Sequence, residues 1–158
     1  MPTVTITSRV PDADAGRVFA RIADFPAYAR YTEAVRDVRV DRTDGDTVSS
    51  TWSVNFRNGV LRWSEVDRID PGRRTIDFVQ TAGDFTHFAG SWRVTGDGSR
   101  VEVVFRADFD LGMPSLAAMI DPIAEEALTD NMRLILRGLL GADVQITDGG
   151  ALVAGGPA

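Results

Sequence analysis

Residues 60 to 69, VLRWSEVDRI, place two arginines, two carboxylates and a tryptophan within one strand-like run. At a two-residue period Arg62, Ser64, Val66 and Arg68 share one face, while Leu61, Trp63, Glu65, Asp67 and Ile69 share the other. Neither face is cleanly apolar and a bulge would reset the phase, so the pattern leaves open which one turns inward. A guanidinium in a water-poor site stabilises enolate or alkoxide charge, and because it stays protonated it is a poor general base. Turned outward, Arg68 is an ordinary strand arginine beside Glu65 or Asp67.

Proton transfer near neutral pH suits histidine, and the chain has one, His87, in the run GDFTHFAGSWRV. Phe85, His87, Ala89 and Ser91 fall on one face, Phe88 and Trp92 on the other. His87 is thus a catalytic group, a polar patch in a cavity wall, or a surface residue, according to which face is inward. Tyr28 and Tyr31 offer phenols that hydrogen-bond ketones or enols, or that anchor a loop. Asn131 interrupts a mainly apolar helical stretch and either projects toward a ligand or is an ordinary polar helix residue.

Composition removes several chemistries. With no cysteine there is no disulfide, thiolate nucleophile or zinc-thiolate site. All 17 basic residues are arginine, so no lysine can form a Schiff base. One histidine cannot build a multi-histidine metal site, and a net charge of −6 argues against nucleic acid as a partner. Hydrophobic content of 44% is ordinary for a soluble domain, and no apolar run reaches the roughly 20 residues of a membrane span. The N-terminal MPTVTITSRV lacks the features of a signal peptide, which predicts a cytoplasmic protein.

The elements that must position these groups read as follows. TVTITS alternates as a first strand, and the next twenty residues change to a helical period with caps at Asp12 or Asp14 and at Asp24, predicting two short helices. Turn pairs at Asp44-Gly45, Asn58-Gly59, Pro71-Gly72 and Asp97-Gly98 divide residues 34 to 110 into six further antiparallel strands, seven in all. Asp121-Pro122 opens a long helix to Leu140 whose apolar stripe includes Ile123, Ala124, Ala127, Leu128, Ile135 and Leu139. The expected fold is α+β: a seven-stranded curved sheet wrapped around one C-terminal helix, with a cavity where the two splay. Residues 1 to 141 form this single domain, and the small, Gly-rich stretch 142 to 158 is expected to be a flexible tail.

In its order of elements the chain resembles the helix-grip superfamily of birch-pollen-allergen and START-like (SRPBCC) proteins, and within it the polyketide cyclase/aromatase and coenzyme Q-binding branch. The resemblance covers residues 3 to about 140 and rests on VFARIADFPAYARY, on NG followed by WSEVDR, on GDFTHFAGSWRV and on DNMRLILRGLL. It implies a cavity for bulky apolar or aromatic molecules. Arg68 falls on the family's pocket arginine, Arg62 and Ser64 stand where tryptophans are usual with Trp63 one place out of phase, and His87 stands where the family carries tyrosine.

The resemblance therefore implies a cofactor-independent cyclase that folds a poly-β-ketone chain and directs its aldol closure and dehydration. Arg68, His87 and Tyr31 are the candidate catalytic residues. Tyr28, Trp52, Arg62, Ser64, Val66, Phe88, Trp92, Phe105, Asn131 and Ile135 are the candidate lining of the cavity. An acyl carrier protein is an implied partner, with Arg36, Arg39 and Arg42 as a docking patch. The alternative is a non-catalytic carrier of a quinone-like or other hydrophobic ligand, which requires only an apolar cavity.

Overall fold

A computed structural model describes residues 2–56, 59–96, 100–111 and 117–148, with the backbone alone for 117–121. The turns expected at Asn58 and at Asp97-Gly98 lie outside these residues. Strand β1 (Thr3–Pro11) is followed by α1 (Ala15–Ala23), a single 3-10 turn (Phe25–Ala27) and α2 (Tyr28–Tyr31). Asp14 caps α1 by accepting the Arg17 amide at 3.0 Å, and Val18, Phe19 and Ile22 form its buried stripe. Asp24 makes no side-chain cap, and Phe25-Pro26 starts a 3-10 turn because proline suits a first-turn position.

Strands β2 (Val35–Asp44), β3 (Thr47–Phe56), β4 (Gly59–Asp70), β5 (Thr75–Gly83), β6 (His87–Gly96) and β7 (Arg100–Asp110) form a consecutive antiparallel meander. The first strand closes it by pairing with β7, in the order β2-β3-β4-β5-β6-β7-β1-β8. Among the described residues eight strands are present where seven were expected. The eighth, β8 (Gln145–Asp148), lies in the stretch expected to be a tail and pairs antiparallel with β1, Thr147 facing Thr7. Edge strand β1 otherwise presents a row of unpaired amides and carbonyls, which β8 satisfies.

The long helix α3 (Ala117–Leu140) crosses the concave face of the sheet. It begins before Asp121, so Pro122 sits inside it rather than at its first turn. Ala124, Ala127, Met132, Ile135, Leu136 and Leu139 are buried, while Ile123, expected in the stripe, is 59% exposed. Gly138 lets α3 approach α2: a Cβ there would stand 2.2 Å from the Tyr31 carbonyl. Arg21 of α1 donates to the Leu139 carbonyl at 3.1 Å, satisfying an acceptor that the helix end leaves free. The core lies between sheet and helix, with Val101, Val103, Phe105, Ala107 and Phe109 of β7 contributing its most regular row, as their alternation predicts.

Candidate functional site

The β3–β4 hairpin builds one wall of the site. Its register sets Trp52 directly opposite Trp63 and Ser50 opposite Glu65, and the inward faces of both strands are buried. The two indoles lie parallel, with ring planes 1° apart and centroids at 6.0 Å. Phe25 and Tyr28 meet the edge of Trp52, while Phe85 and Phe88 meet the edge of Trp63. At the end of β5, Gly83 adopts a φ of +147°, and a Cβ there would fall 2.5 Å from Trp63, so only glycine fits against this indole.

Within this aromatic wall runs a line of polar groups. Trp52 Nε1 donates to Ser50 Oγ at 2.9 Å, and Ser50 Oγ donates to Asp67 Oδ2 at 2.7 Å. From the other side Trp63 Nε1 donates to Glu65 Oε1 at 2.7 Å. Glu65 and Asp67 stand two residues apart on the same buried face of β4, near enough for each carboxyl to act on the other. No hydroxyl, amide or guanidinium of the described residues reaches Asp67 Oδ1. Glu65 is 5% exposed and Asp67 fully buried, and neither belongs to any of the surface ion pairs.

Burial holds the Glu65 carboxyl well above the ordinary range; the hydrogen bond to Asp67 and its charge add to this, and the Trp63 N–H opposes it. Burial also raises Asp67, against the hydrogen bonds from Glu65 and Ser50. Two carboxyls this close and this dry cannot both ionise without a large cost, so the site favours a proton on the pair, Glu65 above all. Tyr28 is pushed well above the usual phenol range, first by burial and then by the charges of Glu65, Asp67 and Asp24, and its hydroxyl donates to the Ile22 carbonyl at 2.6 Å.

Glu65 opens into a narrow cavity of about 60 Å³ between sheet and helix. Of the residues expected from sequence, Tyr28, Trp52, Phe88, Trp92, Phe105, Asn131 and Ile135 all line it. Asn131 Nδ2 donates to the Asn55 carbonyl, tying α3 to β3 at the cavity edge. Phe25, Val54, Trp63, Phe78, Leu128 and Met132 complete the wall.

The expected catalytic set is not there. Arg62, Ser64, Val66 and Arg68 occupy the outer face of β4, with both arginines exposed and Ser64 Oγ 2.9 Å from Thr51 Oγ1. Arg68 faces Asp77 across the strand pair, and the β4–β5 irregularity lies between Ser64 and Glu65 without turning Arg68 inward. His87 is half-buried at the start of β6, opposite Asp110, on the face away from buried Phe88 and Trp92. Phe85 is nonetheless buried, because it precedes the strand, where Gln80 clamps both its amide and its carbonyl. Tyr31 is 39% exposed and lies under the Arg21 guanidinium at 5.0 Å. Arg39, offered as part of a docking patch, pairs with Asp41 at 2.6 Å.

Glu65 and Asp67 are the groups that sequence reasoning assigned no role, although they share a face with Trp63. Among the described residues no set of three or more His, Cys, Asp or Glu converges as a metal site. No described helix is long and apolar enough to cross a membrane.

Comparison with known proteins bears on the fold and the family. A Thermus thermophilus protein of solved structure is 23% identical, with a TM-score of 0.81 over 87% of this chain and 94% of its own. The Zhui aromatase/cyclase from Streptomyces is 22% identical, TM-score 0.76, over 88% and 91%. A START superfamily protein from Mycobacterium smegmatis is 18% identical, TM-score 0.74, over 87% and 96%. At these identities the likeness is one of fold, and no curated protein matches the chain by sequence. The model of the polyketide cyclase/dehydrase and lipid transport family matches residues 11–134, from the end of β1 into α3, and takes in every residue lining the cavity but Ile135. With that match and the helix-grip architecture together, the chain belongs to the polyketide cyclase/dehydrase and lipid transport family.

Proposed function

We propose that the protein is a polyketide cyclase that closes a poly-β-ketone chain by aldol condensation and dehydration, with Glu65 as its acid and base. One observation carries this reading: a pair of buried carboxyls, Glu65 and Asp67, with Glu65 in the lining of an otherwise apolar and aromatic cavity. A carrier of hydrophobic ligands gains nothing from such a pair, since burying ionisable groups is costly. The family match and the aromatase/cyclase neighbours support the same class of chemistry.

The steps balance without any oxidant or reductant. With the shared proton passed across to Asp67, the Glu65 carboxylate takes a proton from a methylene flanked by two carbonyls. The enolate carbon attacks a ketone further along the chain, and the new alkoxide takes its proton back from Glu65. In dehydration a second methylene proton goes to Glu65 while the pair protonates the departing hydroxyl, and water leaves. Asp67 and Ser50 touch no substrate; they hold the proton within reach. The stacked indoles and phenylalanines flatten the chain so that one pair of carbons meets, which is the larger part of the task because orientation removes most competing closures.

The test is the product profile of a minimal aromatic polyketide synthase alone, with this protein, and with its Glu65→Gln variant. Wild type should convert a mixture into one regiospecific ring, and the variant should lose that redirection by about 10²–10⁴-fold in rate. A mixture unchanged by wild type, or redirected equally by the variant, refutes the assignment and leaves ligand carriage as the reading. The substrate arrives tethered to a carrier protein or released from it; adding the carrier-bound and the free chain separately decides which.

A further inference from the structure

The cavity at Glu65, about 60 Å³, is far smaller than the roughly 300–1,000 Å³ of sites that enclose a bulky organic ligand. Next to it lies a larger space of about 360 Å³, an apolar groove lined by Phe56, Leu61, Leu111, Ile123, Ala124 and Ala127, with Gly59 and Val60 at its end. The two spaces are neighbours residue by residue. Val54 and Trp63 line the inner one, and Phe56 and Leu61, the next inward positions of the same two strands, line the outer. On α3, Leu128 and Asn131 belong to the inner space and Ala124 and Ala127, one turn earlier, to the outer. A two-residue step on a strand and one turn of helix are each about 5–7 Å, so a single layer of side chains divides them.

That layer includes the hydrogen bond from Asn131 to the Asn55 carbonyl. Every described residue lining the groove is uncharged and apolar, and Ile123 stands exposed on its rim. Alanine at both 124 and 127 keeps the helix side shallow, where a larger side chain would fill the space.

From this continuity we propose that the groove is the outer compartment of the same site, holding the extended, uncharged, unreacted segment of the ligand while the reacting end lies against Glu65. Ala127 sets how long a segment fits. The inference rests on the reading that the Glu65 cavity takes the substrate, and it adds where the remainder of the chain goes and which residue limits its length. An uncharged chain is the occupant because none of the described residues lining the groove compensates a charge.

Binding of two neutral aryl ketones of different length tests it without any turnover. Acetophenone is the short member of the pair, and hexanophenone carries the same ring and carbonyl with four further methylenes. Quenching of tryptophan fluorescence reports occupancy, since Trp52, Trp63 and Trp92 all line the inner cavity. Each methylene placed in the groove multiplies affinity by up to about fourfold, so wild type should bind hexanophenone at least about tenfold more tightly than acetophenone. Ala127→Phe should leave acetophenone within about twofold and shrink the hexanophenone advantage below about threefold. Ile123→Trp, at an exposed position that cannot disturb the core, should shift the same ratio and decides the matter if the first variant does not fold.

Loss of both ketones alike in a folded Ala127→Phe, an undiminished hexanophenone advantage in the variant that folds, or no length preference in wild type overturns the proposal. Length-dependent binding by a protein that leaves polyketide products unchanged would keep the groove and refute the cyclase; cyclisation with no length dependence would do the reverse.

Discussion

Replacing Glu65 with glutamine removes a titrating proton while keeping the shape and the hydrogen bonds of a protonated glutamate. The glutamine oxygen still accepts from Trp63 Nε1, now at 2.7 Å from Glu65, and its amide donates to Asp67. Toward acid pH, where a raised carboxyl keeps its proton, the variant should therefore lie within about 1 kcal/mol of wild type. Glu65→Ala, by contrast, strands the Trp63 N–H and the Asp67 carboxylate in a dry interior at about 1–3 kcal/mol each, before any cavity cost. The distinctive signature is the pH dependence. A carboxyl raised on folding binds more protons folded than unfolded, so its stabilisation is complete below the unfolded value, roughly 4.3, and is lost as pH rises toward the folded one. Across that window each differential proton lowers the unfolding free energy by about 1.4 kcal/mol per pH unit. Urea unfolding from pH 5 to 8.5 should show the wild-type curve falling more steeply than that of Glu65→Gln, by up to this slope, with the variant the more stable at the alkaline end. Parallel curves, or a variant more than about 2 kcal/mol weaker at the acid end, would show that Glu65 is ionised in the folded protein and that the shared proton does not exist.

Two further outcomes follow from the same geometry. Arg68→Ala and His87→Gln, both on the outer face, should leave product profile and pH–rate profile unchanged and stability within about 0.5 kcal/mol; a tenfold loss of activity in a folded variant of either would place that side chain in the mechanism. Trp63→Phe deletes the hydrogen bond that lowers the Glu65 value, so the fall in stability with pH, which starts above the unfolded value in both proteins, should continue to higher pH than in wild type, readable in the same urea series, and a fall that ends at lower pH would contradict the assignment.

The fold was legible because its signals are local. Asp44-Gly45 closes the β2–β3 hairpin with Gly45 at a φ of +64°, and the alternation of β7 is clean on both faces. Tail residues 145 to 148 escaped because a four-residue edge strand is specified by the amides β1 leaves open, which no composition records. The lining from β6, β7 and α3 was also legible, since Phe88, Trp92, Phe105 and Ile135 are large, apolar and in phase with their neighbours. The phase of β4 was harder. The resemblance implies a pocket place for Arg68, and the opposite face carries two carboxylates, which ordinarily argues for solvent. Yet the hairpin itself contained the answer: strands ending at Phe56 and starting at Gly59 put Trp52 opposite Trp63, and two indoles on one face bury that face. Burial of Trp63 then carries Glu65 and Asp67 inward at a two-residue period.

Once those carboxyls are inside, the indoles take on a second task. A carboxylate buried alone would be neutralised or would open the core to water. Here each acid is held by a donor from its own side, Glu65 by Trp63 and Asp67 by Ser50, itself held by Trp52, so the pair needs only one proton to be largely satisfied. The same aromatic wall therefore also supplies the donors that hold the acid pair. An arginine in that position would offer a permanent positive charge and no proton to exchange; the acid pair offers a proton that can be taken up and returned within one cavity. Loss of Ser50 tests this division of labour, because Ser50 lines no part of the cavity and yet its removal should raise Asp67 and slow the exchange without altering which ligands bind.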